Sequence, residues 1–149
     1  MTTQTLNQEN PILDTETLYR AVRNDSRFLT ADAAGRPRIS SMAFNDAGRR
    51  PSVDRAVLCP GGLEETRYRF STGSGVLALM AGEVRTLTTT HGGTGALYGV
   101  DVEPVPLLEN PAHAEIFGRP PFDNDKVFER IKQALARIAI VALSPEATL

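Results

Sequence analysis

Ala96-Leu97-Tyr98-Gly99-Val100-Asp101-Val102-Glu103-Pro104-Val105 sets Tyr98, Val100 and Val102 on one side of an extended chain and Asp101 and Glu103 on the other, because successive strand side chains point to opposite faces. One side is core and the other polar. Just upstream, His91-Gly92-Gly93-Thr94-Gly95 is a turn, and Gly75–Met80 and residues 84–90 are strand-compatible, so the middle of the chain is expected to be sheet. Downstream, Val127, Phe128, Ile131, Ala134, Leu135 and Ile138 recur at three- and four-residue spacing. With Asp123 as cap and Phe122 and Val127 at staple positions, this predicts an amphipathic helix packing on the sheet.

Working outward, residues 38–44 and 51–58 are rich in β-branched and aromatic residues and predict two further strands, joined as a hairpin through Asp46-Ala47-Gly48. Cys59-Pro60-Gly61-Gly62 then breaks the chain. Asn110 followed by Pro111 and closed by Gly118 reads as a short capped helix. Residues 15–22 allow either a helix capped by Asp14 or a strand with Leu18, Arg20 and Val22 on one face. Residues 1–12 carry little apolar content before Pro11 and are expected to be a tail. No fixed-period repeat or long linker appears, so residues 13–149 form one α+β domain. Its sheet is mainly antiparallel or mixed, with the C-terminal amphipathic helix packed on one face.

At 149 residues the chain is long enough to bury about 68–70% of its unfolded surface. Sixteen basic against eighteen acidic residues, a net charge of −2, argue against general nucleic-acid binding. Clusters such as Arg49, Arg50 and Arg55, or Arg67 and Arg69, are expected to coat a solvated face. The single cysteine, Cys59, excludes an intramolecular disulfide framework. With no basic and apolar leader at the start, it makes the cytoplasm the expected compartment. The longest apolar stretch, residues 138–143, is far short of the roughly 20 residues of a spanning helix, so no membrane crossing is expected.

Chemistry-bearing patterns are sparse. Cys59, His91 and His113 stand far apart without a paired ligand spacing, so no metal is expected. No serine sits in a nucleophile elbow and neither histidine has an orienting acid nearby in sequence. Gly92, Gly93 and Gly95 precede a strand, which makes them a hairpin turn and not a phosphate cradle. Asp54 and Arg55 interrupt an apolar run, and charges held near a core need partners, so an ion pair is expected there.

One ordered set carries a resemblance. Arg20, Phe70-Ser71-Thr72-Gly73-Ser74 and Asp101-Val102-Glu103 resemble the Arg, Ser-Thr-Ser and acid-x-Glu series of ADP-ribosyltransferases. The resemblance implies NAD as cofactor, with Arg20 on its phosphates, Ser71 and Thr72 bracing the site, and Glu103 stabilising the oxocarbenium-like ribose as nicotinamide leaves. Taken alone, Asp101 and Glu103 are the polar side of a strand and Arg20 a surface charge. A second resemblance joins Leu18-Tyr19-Arg20, Ile39-Ser40-Ser41-Met42-Ala43-Phe44, Ser52-Val53-Asp54-Arg55-Ala56 and Asn110-Pro111-Ala112-His113-Ala114-Glu115-Ile116 to segments of small bacterial proteins, and implies no chemistry.

Because no titratable cluster has catalytic spacing, the first expectation is an accessory domain that binds a protein partner, without cofactor. The alternative is an ADP-ribosyltransferase-like toxin or effector that cleaves a nicotinamide dinucleotide.

Overall fold

The strand expected over residues 96–105 spans Leu97–Pro104 in the computed structural model, which describes residues 10–146. In chain order the strands are β1 (Thr17–Val22), β2 (Leu29–Ala31), β3 (Pro37–Ile39), β4 (Ser52–Arg55), β5 (Gly75–Met80), β6 (Thr88–Thr90), β7 (Leu97–Pro104), β8 (His113–Arg119) and β9 (Ile140–Leu143). The helices are α1 (Gly62–Phe70), α2 (Ala81–Val84) and α3 (Asp125–Ile138). Seven strands form one sheet in the order β6-β7-β8-β4-β1-β5-β9, and β2 and β3 make a separate hairpin. Every pairing is antiparallel. The fold is α+β, mostly sheet, with the C-terminal helix packed on it.

Register assigns the faces. Val102 lies opposite Ile116, Val53 opposite Ala114, and Leu18 opposite both Arg55 and Leu79. These residues share one face, and the apolar ones join Val127, Phe128, Ile131 and Leu135 of α3 in one buried cluster. The helix cap is Asn124, whose side chain accepts from the Lys126 and Val127 amides. Asp123, the expected cap, instead accepts from the Tyr98 hydroxyl at 2.7 Å. A tyrosine buried at its ring end needs a partner for its oxygen, and the residue before the cap supplies it. Phe122 stacks on Phe128 with centroids 5.9 Å apart.

Several expectations are corrected. Residues 110–118 are no helix: Ala114, Ile116 and Gly118 are buried in alternation with His113, Glu115 and Phe117, the period of a strand. Gly118 is needed there for space, since a Cβ would come within 2.5 Å of the Phe122 ring. The strand over 38–44 ends at Ile39, where the Ser40 side chain accepts from the Met42 amide and starts a 3-10 turn, Ser41–Phe44. That over 51–58 ends at Arg55 and continues as a second such turn, Ala56–Leu58.

These two segments do not pair. β3 joins β2 while β4 joins β1 and β8, because Asp46 takes the Ala47 and Ser52 amides and so closes a loop instead of a hairpin. Residues 84–90 yield strand only over β6. The first element is a strand, the second of the two possibilities. Helix α1 was not anticipated, since its buried positions are Thr66 and Arg67 and not an apolar stripe.

Two arginines expected at a solvated face are buried. Arg55, 2% exposed, makes a bidentate pair with Glu16 at 2.8 and 2.9 Å and donates to the Asn10 carbonyl. Its partner is thus not Asp54. Arg67 donates to the carbonyls of Ser74 and Ser144 and to Glu146, tying α1 to the chain after β9. Of the expected tail, residues 1–9 lie outside the described residues, and Ile12 is in the core. No helix among the described residues is long and apolar enough to cross a membrane.

Phe128 sits at the centre of the α3 stripe, 6% exposed. Phe128→Ala is expected to destabilise the fold by about 3–5 kcal/mol in urea melts. A change under about 1 kcal/mol would contradict the packing described.

Candidate functional site

The sheet splits where β1 and β4 part. They pair at Leu18 with Arg55 and Tyr19 with Asp54. Beyond that, β1 stays with β5 as far as Val22, while Ser52 and Val53 of β4 pair only with β8. An unpaired backbone edge inside a sheet leaves donors and acceptors that need partners. Side chains provide them. Arg20 donates to the Ser52 carbonyl at 2.7 Å, and Asp46 accepts from the Ser52 amide at 2.9 Å. Arg20 also donates to the carbonyls of Ala43 (2.7 Å) and Asn45 (2.8 Å) and to Asp46 (3.3 Å). Burial lowers the Arg20 guanidinium from its ordinary value and Asp46 opposes the shift, but a guanidinium stays charged throughout.

Beside this split, Asp54 gathers three donors. Asn110 Nδ2 donates to Oδ1 at 2.9 Å, and Thr66 Oγ1 to Oδ2 at 2.8 Å, with Arg69 on the same oxygen. Asp54, Thr66 and Asn110 are all buried. The carboxylate therefore joins β4, α1 and the β7–β8 connection, and it lies on the sheet face opposite α3, since Val53 and Arg55 on either side of it face the core. His113, directly across from Asp54, has Nδ1 at 2.9 Å from the Val105 carbonyl and Nε2 at 3.2 Å from Ser52 Oγ. A carbonyl only accepts, so Nδ1 carries a proton; in the neutral ring Nε2 then accepts from the Ser52 hydroxyl.

Between these groups lies a cleft of about 580 Å³. Tyr19, Phe28, Met42 and Phe70 supply its rings and apolar surface, and Arg23 and Arg69 its cationic groups. Each of the four segments that carry the second resemblance contributes to the wall: Tyr19 and Arg20, Met42 and Ala43, Ser52 to Asp54, and Asn110 with His113.

The residues of the transferase series are not brought together. Arg20 is at the cleft, with four hydrogen bonds to the chain's own oxygens. Ser71 and Thr72 are exposed in the turn between α1 and β5, where the Ser71 carbonyl accepts from Ser74 Oγ at 2.7 Å. Glu103 is on β7, with β8 and β4 between it and β1. Three strand spacings put about 14 Å of sheet in between. Glu103 is half exposed and paired with Arg50, which also holds Glu115.

Asp54 was visible in sequence as a charge interrupting an apolar run. Ser52, Asn110, Tyr19 and Phe70 carried no such signal, since a serine, an asparagine and two aromatics gain meaning only from what they face. Among the described residues no three His, Cys, Asp or Glu side chains stand together as metal ligands. His91 Nδ1 accepts from the Gly93 and Thr94 amides, which makes 91–95 the turn between β6 and β7. Family models, curated proteins and solved structures give no match to this chain.

Cys59 lies beneath this network, buried and 3.9 Å from Thr66 Oγ1. Burial, with the negative charge of Asp54, pushes its thiol up to about 11. Asp54→Ala leaves Thr66, Arg69 and Asn110 without their acceptor and is expected to cost about 2–3 kcal/mol in urea melts. Loss of that charge also favours the thiolate, so iodoacetamide should label Cys59 faster in the folded variant than in the folded parent. Unchanged stability and unchanged labelling would show that Asp54 does not organise the site.

Proposed function

We propose that this domain binds a small molecule in the cleft between β1, β4 and α1 and performs no covalent chemistry on it. The observation that carries the reading is that four segments, far apart in the chain, meet at this one cleft. The volume is in the range of small-molecule sites, and the lining combines apolar and aromatic surface with a few fixed polar groups. Asp46, Asp54, Arg20, Arg69 and His113 are each committed to an internal partner. Such groups hold a shape well. They are poorly placed to exchange protons with a substrate.

An accessory domain of this kind acts through its bound state, so a protein partner belongs to the same proposal and would meet the rim, where Met42 and Phe70 are exposed. The cytoplasm is proposed with it, because a lone buried thiol suits a reducing compartment. The net charge of −2 and the pairing of most arginines favour a partner other than nucleic acid in general. The reading needs no NAD. The transferase series would require Arg20 to leave four acceptors and Glu103 to act from three strands away.

The test is a ¹H–¹⁵N spectrum of the protein titrated with a set of neutral and charged aromatic fragments, beside an assay of nicotinamide release from NAD. Fragment binding is expected to move amides of β1, Asn45, Asp54 and Asn110 together, with no nicotinamide released. Shifts scattered over the surface, or none, would overturn the binding cleft. Nicotinamide release that Glu103→Gln abolishes would replace the proposal with the transferase.

A further inference from the structure

The geometry points to a planar aromatic anion as the molecule this cleft takes, an inference that rests on the cleft being a binding site. Three rings line it, Tyr19, Phe28 and Phe70. Flat ring systems gain most from such walls, through stacked or edge-on contact beyond the area they bury. Two of the rings carry a guanidinium: Arg27 lies 5.5 Å from the Phe28 centroid and Arg23 5.7 Å from the Phe70 centroid.

The two arginines differ in what neutralises them. Asp25 holds Arg27 with two oxygens, the closest at 2.7 Å. Hydrogen bonds from Arg27 in turn hold the Asp25 carboxyl down at about 2. Arg23 forms no salt bridge among the described residues. On the rest of the wall, Arg20 is met by Asp46, and Arg69 by Asp54 and Glu65. Arg23 is therefore the arginine of the wall that no carboxylate holds in a salt bridge among the described residues, although Asp25 lies within its field; it is exposed and lines the cleft. A guanidinium lying over a ring keeps its in-plane N–H groups free to take a carboxylate or phosphate bidentately.

Ser52 adds a second constraint. With the His113 ring neutral, the hydroxyl hydrogen of Ser52 is spent on Nε2, so toward the cleft its oxygen offers lone pairs alone. It suits a ring that brings an N–H. The ligand is thus a flat ring with a hydrogen-bond donor directed to Ser52 and an anionic group at Arg23.

Calorimetry with two matched pairs tests this: AMP against adenosine, and indole-3-carboxylate against indole-3-carboxamide. In at least one pair the anion is expected to bind about tenfold or more tighter than its neutral counterpart. The pair that shows it tells a phosphate from a carboxylate. Arg23→Gln should remove the advantage, Arg23→Lys should keep part of it, and Arg27→Gln should leave it unchanged. Equal affinity within both pairs would overturn the anion, and an advantage that survives Arg23→Gln would overturn Arg23 as its partner. In the first event neutral rings that still shift the cleft amides would leave the binding site standing. Failure of all four compounds at millimolar concentration would overturn the planar-ring class, and failure of the wider fragment set as well would remove the binding site itself.

Discussion

Arg20 and Asp46 together serve the two backbone groups of Ser52 that β1 no longer reaches. Without them the split between β1 and β4 would leave a part-buried amide and carbonyl unpaired, at a cost of about 1 kcal/mol or more each. The strands would then have reason to zip closed. Because a guanidinium presents several donors in a fixed plane, one side chain also fixes the carbonyls of Ala43 and Asn45, and so positions the turn that walls one side of the cleft. A sheet held open by charge is the constraint on which the cleft depends.

The second charged centre works in the same way on the facing wall. Asp54 binds α1 through Thr66 and Arg69 and the β7–β8 connection through Asn110. Both carboxylates are well supplied with donors, and a fully satisfied buried network specifies one arrangement more sharply than apolar packing does. The apolar core lies on the other side of the sheet, under α3. Val22, Ala43 and Val53 belong to that cluster and also line the cleft, so core and cleft share a boundary; truncation of Phe128 acts on the core, whereas the side chains of Arg23 and Ser52 act from outside it.

Elements written in a simple period were legible in the sequence. β7 alternates cleanly, and α3 repeats its apolar positions at helical spacing; both were found close to where the structure has them. Elements whose identity rests on a side chain bonding to backbone were not. Ser40 ends β3, Asp46 turns a hairpin into a loop, and Asn110 is held by Asp54 in place of capping a helix. Each could do either job locally, and distant partners decide. Helix α1 hides for the same reason, since its buried residues are polar. At the site, Arg20 and Asp54 drew notice as charges, one within a motif and one within an apolar run. The groups that give the cleft its character, Tyr19, Phe28, Phe70 and Arg23, meet only through strand order and a helix that the pattern did not reveal.

The most direct measurement is hydrogen–deuterium exchange of Arg20→Lys beside the parent protein. A lysine keeps the charge but gathers its donors on one nitrogen, which cannot reach the three carbonyls that Arg20 meets separately through Nε, Nη1 and Nη2. The account predicts faster exchange over residues 41–52 and at the ends of β1 and β4, with β7, β8 and α3 as protected as before. Exchange over residues 41–52 that is unchanged in the variant would contradict it, because the split would then be held open by something other than Arg20.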